Sequence, residues 1–242
     1  MPDRAPHHRL AVNATLGALH LDVGIELRAP WTVLFGPSGS GKSSILRALC
    51  GLLPEAQVSF ERLRASAPQE LGTRAPNHRA LGYAPQDAAI FPHLSVRDNV
   101  RFPSHICRES PRNSTIVEDA IALFRLHALT TRRPAELSGG ERQRVSLARA
   151  FATPHARLLL LDEPFSGFDR KLRDDLLPLM RAHLAARDLP CLSVTHDADE
   201  ALLLDADVIR IDSGCVVAQG PAHEVLAPDR DLLLKALQPQ KP

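Results

Sequence analysis

Gly36-Pro37-Ser38-Gly39-Ser40-Gly41-Lys42-Ser43 satisfies the pattern G-x-x-x-x-G-K-[ST] in full. Before it runs Trp31-Thr32-Val33-Leu34-Phe35, a short apolar stretch that reads as a buried central strand. After it comes Ser44-Ile45-Leu46-Arg47-Ala48-Leu49-Cys50, a helix stopped by Gly51 and Pro54. Strand, glycine-rich loop and helix in that order form a phosphate-gripping unit. The glycines let the loop wrap so that successive backbone N–H groups face a β-phosphate. The helix N-terminus adds partial positive charge. Lys42 spans the β- and γ-phosphates and the Ser43 hydroxyl completes a Mg²⁺ site, so Gly36 to Ser44 make up the nucleotide-binding stretch. At ordinary glycine usage of ~7%, chance supplies this match in roughly one such chain in a hundred.

The second half of the chemistry lies at Leu158-Leu159-Leu160-Leu161-Asp162-Glu163-Pro164. Four consecutive leucines describe a strand buried on both faces of a parallel sheet. Asp162 then falls at the sheet's carboxyl edge, where ligands bind in open α/β sheets. Asp162 is suited to hold Mg²⁺ through a water, and Glu163 to orient and polarise an attacking water. A capped strand end is the plainer reading of such a pair in isolation; the phosphate loop upstream favours catalysis.

Other segments fill in an α/β organisation. Residues 9 to 28 alternate apolar and polar, the period of half-buried antiparallel strands. A short strand is expected at Val58 to Phe60, then a loop through Pro68, Gly72 and Pro76, then a strand at Leu81 to Ala84 ending at Pro85-Gln86. Helical patterns cover Val96 to Phe102 and Thr115 to Leu129. Arg173 to Ala186 reads as an amphipathic helix kinked at Pro178, and Asp197 to Leu204 as a helix between strands at Cys191 to Thr195 and Val208 to Ile211. Gln238 to Pro242 reads as a frayed tail.

With 242 residues, 44% of them hydrophobic, the chain can bury a large core as one α/β domain with an insertion. A net charge of +1 gives no overall field for a nucleic-acid or acidic-lipid partner. Cys50, Cys107, Cys191 and Cys215 form no C-x-x-C pair and read as reduced thiols. Met1 to Leu10 carries charges with no apolar run behind them, unlike a signal peptide, and no stretch reaches the ~18 apolar residues of a membrane span. The expectation is a soluble, cytosolic chain.

Leu137-Ser138-Gly139-Gly140-Glu141, followed by Arg142-Gln143-Arg144, opens a further helix, with Ser138 and the amides of Gly139 and Gly140 at its start. Through this string and the two motifs above, the chain resembles the ATP-binding-cassette (ABC) ATPases from about residue 10 to 230. The resemblance implies a P-loop NTPase (RecA-like) core with a mostly parallel sheet, an N-terminal antiparallel β subdomain and an inserted α-helical subdomain. Residues 1-242 would form one ABC ATPase domain, with 87-145 the helical signature subdomain and 1-86 and 146-242 the nucleotide-binding core.

It further implies ATP hydrolysis by a homodimer formed in the ATP-bound state, Ser138, Gly139 and Gly140 of one copy meeting the γ-phosphate held by the other. Gln86 takes the place of a hinge glutamine that senses Mg²⁺ and the γ-phosphate, and His196 that of a histidine set against that phosphate. Ser166-Gly167-Phe168-Asp169 matches the loop crossing the dimer seam, with Gly167 and Phe168 departing from the usual Ala and Leu. Leu16, before Gly17, stands where the family stacks adenine on an aromatic ring. Pro54 to His78 lacks the glycine-punctuated strand pair usual after the first helix.

Family resemblance also supplies the partners: membrane permease subunits docking near Phe91 and Leu94 in the apolar loop Ala88 to Leu94, a solute-binding protein acting indirectly, no nucleic acid, and a peripheral place on the cytoplasmic face of the inner membrane. Thr15-Leu16-Gly17, Val33 to Ser38, Phe91-Pro92-His93 and Leu176-Leu177-Pro178 are most similar to molybdate importer ATPases, expected here without their oxyanion-binding C-terminal domain. Three readings stay open beside a molybdate importer: an importer ATPase for another solute; a non-transport ABC ATPase acting on ribosomes or DNA, which usually brings a second cassette or coiled-coil insert; and a small P-loop kinase, which has no use for Ser138-Gly139-Gly140.

Overall fold

Alternation builds the N-terminal edge of the protein. In this computed structural model, which describes residues 8–63, 69–106 and 111–227, β1 (His8–Leu16) and β2 (Leu19–Leu27) form an antiparallel hairpin. Leu10 faces Ile25, Val12 faces Val23 and Ala14 faces Leu21, so one face is apolar and the other solvated. The turn passes through Gly17 at φ 60, left-handed backbone that glycine adopts without a Cβ penalty. Met1 to His7, Cys107 and the tail Gln238 to Pro242 lie outside the described residues.

The ten-stranded sheet runs β5-β4-β1-β2-β10-β9-β3-β8-β7-β6. Its parallel part comprises β9 (Asp207–Asp212), β3 (Trp31–Phe35), β8 (Cys191–Val194), β7 (Leu158–Asp162) and β6 (Leu81–Ala84). The antiparallel part comprises β1, β2, β4 (Gln57–Arg62) and β5 (Gln69–Glu70). β10 (Cys215–Pro221) joins the two, antiparallel to β9 and parallel to β2 at Cys215 and Asp22.

Burial along β7 explains the layering. Leu158 and Leu160 enter one core cluster with Leu34, Ile45, Leu46 and Ile209, while Leu159 and Leu161 enter the other with Val33, Phe151 and Leu176. All four leucines have no solvent exposure. At about 1.5–3 kcal/mol for each fully buried leucine, this one strand anchors both layers. Helix α1 (Lys42–Leu49) packs on the first face; α2 (Val96–Ile106), α3 (Pro111–Leu123), α4 (Gly139–Phe151) and α5 (Arg170–Ala186) supply the second. Short helices α6 (Ala198–Leu203) and α7 (Ala222–Val225) complete the chain order.

The structure corrects three expectations. The helix read as Thr115 to Leu129 begins at Pro111 and ends at Leu123. Arg125 takes φ 55, its N–H donates to the Ala122 carbonyl at 3.0 Å, and the Leu126 N–H donates to the Ile121 carbonyl at 2.9 Å, a left-handed helix stop made without glycine. The loop expected after Phe60 is interrupted: among the described residues β4 extends to Arg62 and pairs with β5, and the Glu70 carboxylate accepts N–H bonds from Phe60 at 3.0 Å and Gly72 at 2.6 Å. The helix expected from Arg173 starts at Arg170, since Asp169 Oδ1 accepts the Leu172 N–H at 2.9 Å, and it runs through Pro178 to Ala186 as one element. Past the strand expected at Val208 to Ile211 the chain continues into β10 and α7, elements the sequence reading did not include.

Candidate functional site

Parallel strands carry their carboxyl ends to one edge, and the predicted phosphate-loop, acidic and histidine residues gather there. β3 feeds the 36–43 loop, β7 ends in Asp162, and β8 leads into Thr195 and His196. The loop is held from below. Gly36 approaches β9 so closely that an added Cβ would lie 2.1 Å from the Ile211 carbonyl oxygen, and one on Gly41, at φ 101, would lie 2.4 Å from Leu21 Cδ2. The Gly214 N–H donates to the Ser40 carbonyl at 3.1 Å, and the Ile45 N–H to that of Gly41 at 2.9 Å. Pro37, Ser38 and Gly39 are exposed, Ser43 and Ser44 are half-buried, and Ser40 and Lys42 are buried.

Lys42 Nζ donates to the carbonyls of Gly36 at 2.9 Å and Pro37 at 2.7 Å, with Ser40 Oγ at 3.4 Å. Burial holds its pKa below the ordinary lysine value, while Glu163 and Asp162 oppose that shift. Ser43 Oγ donates to Asp162 Oδ1 at 2.8 Å, joining the phosphate loop to β7 across 119 residues. Asp162 is only 3% exposed. Burial raises its pKa above the usual carboxylate range, Ser43 pulling it back and Glu163 pushing it up again.

Glu163 follows at φ 44, a left-handed turn that swings its side chain off the strand line, with its N–H donating to the Val194 carbonyl at 3.0 Å. Its Oε1 lies 3.2 Å from His196 Nδ1, so the acid and the histidine named from sequence are in hydrogen-bond contact. Around them opens a cavity of about 300 Å³ whose walls include Phe165, Phe168 and Arg173. Gln86 is exposed on the bend after β6, at the same edge of the sheet. Leu16 ends β1 half-buried against the core cluster that also receives Leu19.

Ser138, Gly139 and Gly140 occupy a separate place. Ser138 caps α4, its Oγ accepting the Glu141 N–H at 3.3 Å while Glu141 Oε2 accepts the Ser138 N–H at 2.8 Å and hydroxyl at 2.9 Å. Those bonds hold the Glu141 carboxyl below its ordinary pKa. Gly140 packs against the 166–169 loop, where an added Cβ would stand 2.8 Å from the Gly167 carbonyl oxygen. Ser138 and Gly139 are solvent-exposed.

Sequence reasoning missed a cluster next to the site. Arg173 pairs with Asp197 at 2.6 Å and Asp174 at 3.0 Å, and reaches Glu200 at 4.0 Å. Asp197 begins a D-x-x-E spacing that signals a helix start, but nothing in the sequence points to its arginine partner. The larger cavity of about 750 Å³, walled in part by Arg9, Glu26, Arg28, Asp207 and Gln219, lies at the amino-terminal ends of the parallel strands and takes no part in this chemistry.

These residues fit a magnesium nucleotide. Among the described residues no group of three or more His, Cys, Asp or Glu forms a closed metal cage. Mg²⁺ needs none, because it keeps several waters and binds through one or two carboxylates plus substrate phosphates. A buried carboxylate hydrogen-bonded to a loop hydroxyl, beside a lysine and a row of backbone amides at a helix start, matches that requirement. Among the described residues no helix is long and apolar enough to cross a membrane.

Comparison with known proteins agrees with this geometry. A family described as "ABC transporter" matches residues 23–166, from β2 through the phosphate loop to Ser166. "Molybdenum import ATP-binding protein ModC" of Pseudomonas syringae pv. syringae is 42% identical over 201 residues, covering 81% of this chain and 54% of that relative. Proteins of the same name are 39% identical over 209 residues in Thiobacillus denitrificans, covering 86% of this chain and 57% of the relative, and 38% identical over 224 residues in Rhodopseudomonas palustris, covering 91% and 59%. The chain thus spans little more than half the length of the curated relatives it matches. With the phosphate loop on β3, the Asp–Glu pair on β7 and the serine–glycine cap on α4 all falling within or beside the matched span, the chain belongs to the ABC transporter family.

Proposed function

We propose that this chain is the ATP-hydrolysing subunit of a membrane importer whose solute is an oxyanion such as molybdate. The observation that carries the enzymatic part is the convergence of Lys42, the Ser43–Asp162 bond and the Glu163–His196 contact at one sheet edge. Lys42, already aimed into the loop, exchanges carbonyl partners for β- and γ-phosphate oxygens. Ser43, Asp162 and Gln86 are the residues that would hold Mg²⁺, which when bound supplies positive charge against the phosphates. A Glu163 carboxylate oxygen accepts the proton of the attacking water, and His196 Nδ1 keeps that carboxylate oriented. The products are ADP and phosphate.

Ser138 to Gly140 have no phosphate loop of their own beside them, which supports a homodimer in which each copy completes the other's site. Permease subunits are assigned to the 88–94 loop. Its backbone is clamped by buried Asn99, whose Oδ1 accepts the Phe91 N–H at 2.7 Å and whose Nδ2 donates to the Phe91 and Leu94 carbonyls at 3.1 and 3.3 Å. Phe91 is half-buried, 4.3 Å from the Phe102 ring and under the Arg149 guanidinium, while Ile90 turns partly into the core. The relatives' names support molybdenum as the cargo, and a permease partner would place the chain peripherally on the cytoplasmic face of the inner membrane, with a solute-binding protein acting through that permease.

Glu163→Gln tests the enzyme. ATP binding is retained, turnover falls about a hundredfold or more because a general base is lost, and light scattering with Mg-ATP finds a trapped dimer. A monomeric variant with full turnover would sink both roles. Uptake of labelled molybdate by the assembled transporter, competed by unlabelled molybdate and not by phosphate, tests the solute.

A further inference from the structure

Arg173 sits in the first turn of α5 and is 9% exposed, beside the site yet outside its chemistry. Its Nη1 donates to Asp197 Oδ2 at 2.6 Å, and its Nε donates to Asp174 Oδ1 at 3.0 Å. Asp197 directly follows His196. Its other oxygen caps α6 by accepting the Asp199 N–H at 2.8 Å, and its own N–H donates to Thr195 Oγ1 at 3.0 Å. The Thr195 N–H in turn donates to the Leu34 carbonyl at 3.3 Å, on β3 just before the phosphate loop. His196 itself has a 70% exposed side chain in contact with Glu163. Its ring is therefore not wedged in place by packing; its position is set by the fixed residues on either side.

Arg173 also belongs to the helix that follows the 166–169 loop. α5 begins at the end of the 166–169 loop, capped by Asp169 four residues before Arg173, and the middle of that loop touches Gly140 at the start of α4. One guanidinium therefore ties the helix that carries this loop to the residue adjoining the histidine. Removing it would leave Asp197 and Glu200 facing each other partly buried and without their cation, a costly arrangement that pushes the 196–200 segment to move.

We propose that Arg173 is a positioning residue for hydrolysis: through Asp197 it sets His196 against Glu163, and it makes that alignment depend on where the 166–169 loop lies. This rests on the roles given to Glu163 and His196 above. A brace that only stabilises the fold would share the same bonds, so the test must separate the two.

Arg173→Met, Arg173→Lys and Asp197→Asn are compared with the unaltered chain in Mg-ATP turnover and fluorescent-nucleotide binding; the asparagine keeps the α6 cap while losing the ion pair. The methionine and asparagine variants lose about tenfold or more in kcat with nucleotide affinity unchanged, since misplacing a catalytic group by an ångström costs up to about a hundredfold. The lysine variant recovers most of that loss. In a His196→Ala background, Arg173→Met has no further effect, because the two residues act through one contact.

The ¹H–¹³C signal of the His196 ring, assigned by His196→Ala, moves in Arg173→Met and returns in Arg173→Lys. Equal losses with and without His196, or an unmoved ring signal, overturn the proposal, and the ring signal does so whether or not the chain turns over ATP. Absent turnover in the unaltered protein, with the ring signal behaving as expected, would instead overturn the hydrolysis reading alone.

Discussion

Replacing Asp162 by Asn should make the nucleotide-free protein more stable and the nucleotide-bound protein less so. Asp162 is 3% exposed at the end of β7, and burial lifts its pKa above the ordinary 3.8. A carboxyl whose folded-state pKa is raised binds its proton more tightly when folded. Its ionised form therefore opposes folding at neutral pH, and this opposition fades as pH falls through the folded value. Asparagine keeps an oxygen to accept the Ser43 hydroxyl and removes the buried charge, a relief on the scale of about 1 kcal/mol. For a chain of this length that raises Tm by about 2–4 °C.

Mg-ATP at a hundredfold excess over its Kd adds about 2.7 kcal/mol to a competent site, and on the proposed role of Asp162 in holding Mg²⁺ the variant forfeits most of it. Thermal unfolding of both proteins, with and without Mg-ATP at pH 7, should therefore cross over. The nucleotide-free gap should narrow on acidification, as the wild-type group takes up its proton at a pH above the ordinary carboxylate value. An Asn variant that melts at or below the wild type without nucleotide, or a gap that ignores pH, would refute the reasoning.

Glu141→Gln should weaken the α4 start at neutral pH. The Ser138 N–H holds the Glu141 pKa below 4.5, so its contribution is present above that value and is lost as pH falls through the lower, folded one; urea midpoints of variant and wild type should converge on acidification. Gly82→Ala would drive a methyl to 2.4 Å from Leu159 Cδ2 and 2.5 Å from the Ala150 carbonyl oxygen. The strand must shift, and about 2 kcal/mol should be lost in chemical unfolding. Leu160→Ala removes a side chain with no solvent exposure from the middle of β7 and should cost about 2–5 kcal/mol by the same measurement.

How far the sequence reached depended on whether each signal was local. The 36–43 loop, the leucines of β7 and the alternation of β1 and β2 are periodic or chemically unusual within a few residues, and the structure has them as read. The end of α3 was missed because Arg125 adopts the left-handed stop that glycine usually announces. β10 was missed because Cys215-Val216-Val217-Ala218-Gln219-Gly220-Pro221 shows no apolar–polar alternation and ends in glycine and proline, although its burial alternates in the fold. β5 is two residues long and depends on one carboxylate gripping two neighbouring amides. In the candidate site, Lys42, Ser43, Asp162 and Glu163 were named from motif spacing and His196 from the family resemblance, and the structure brings the five to one sheet edge. Arg173 was not named, because its meeting with Asp197, 24 residues further on, is made by the tertiary fold.

Ser138 enters any encounter with its backbone N–H and hydroxyl already engaged by Glu141. An anion arriving at that end of α4 finds a resident carboxylate in its place and must displace it, giving up charge-assisted bonds of about 1.5–3 kcal/mol each. The newcomer keeps only the difference between two similar acceptors. Capture there is an exchange of occupants, so the net grip is shallower than at a helix start whose donors are free.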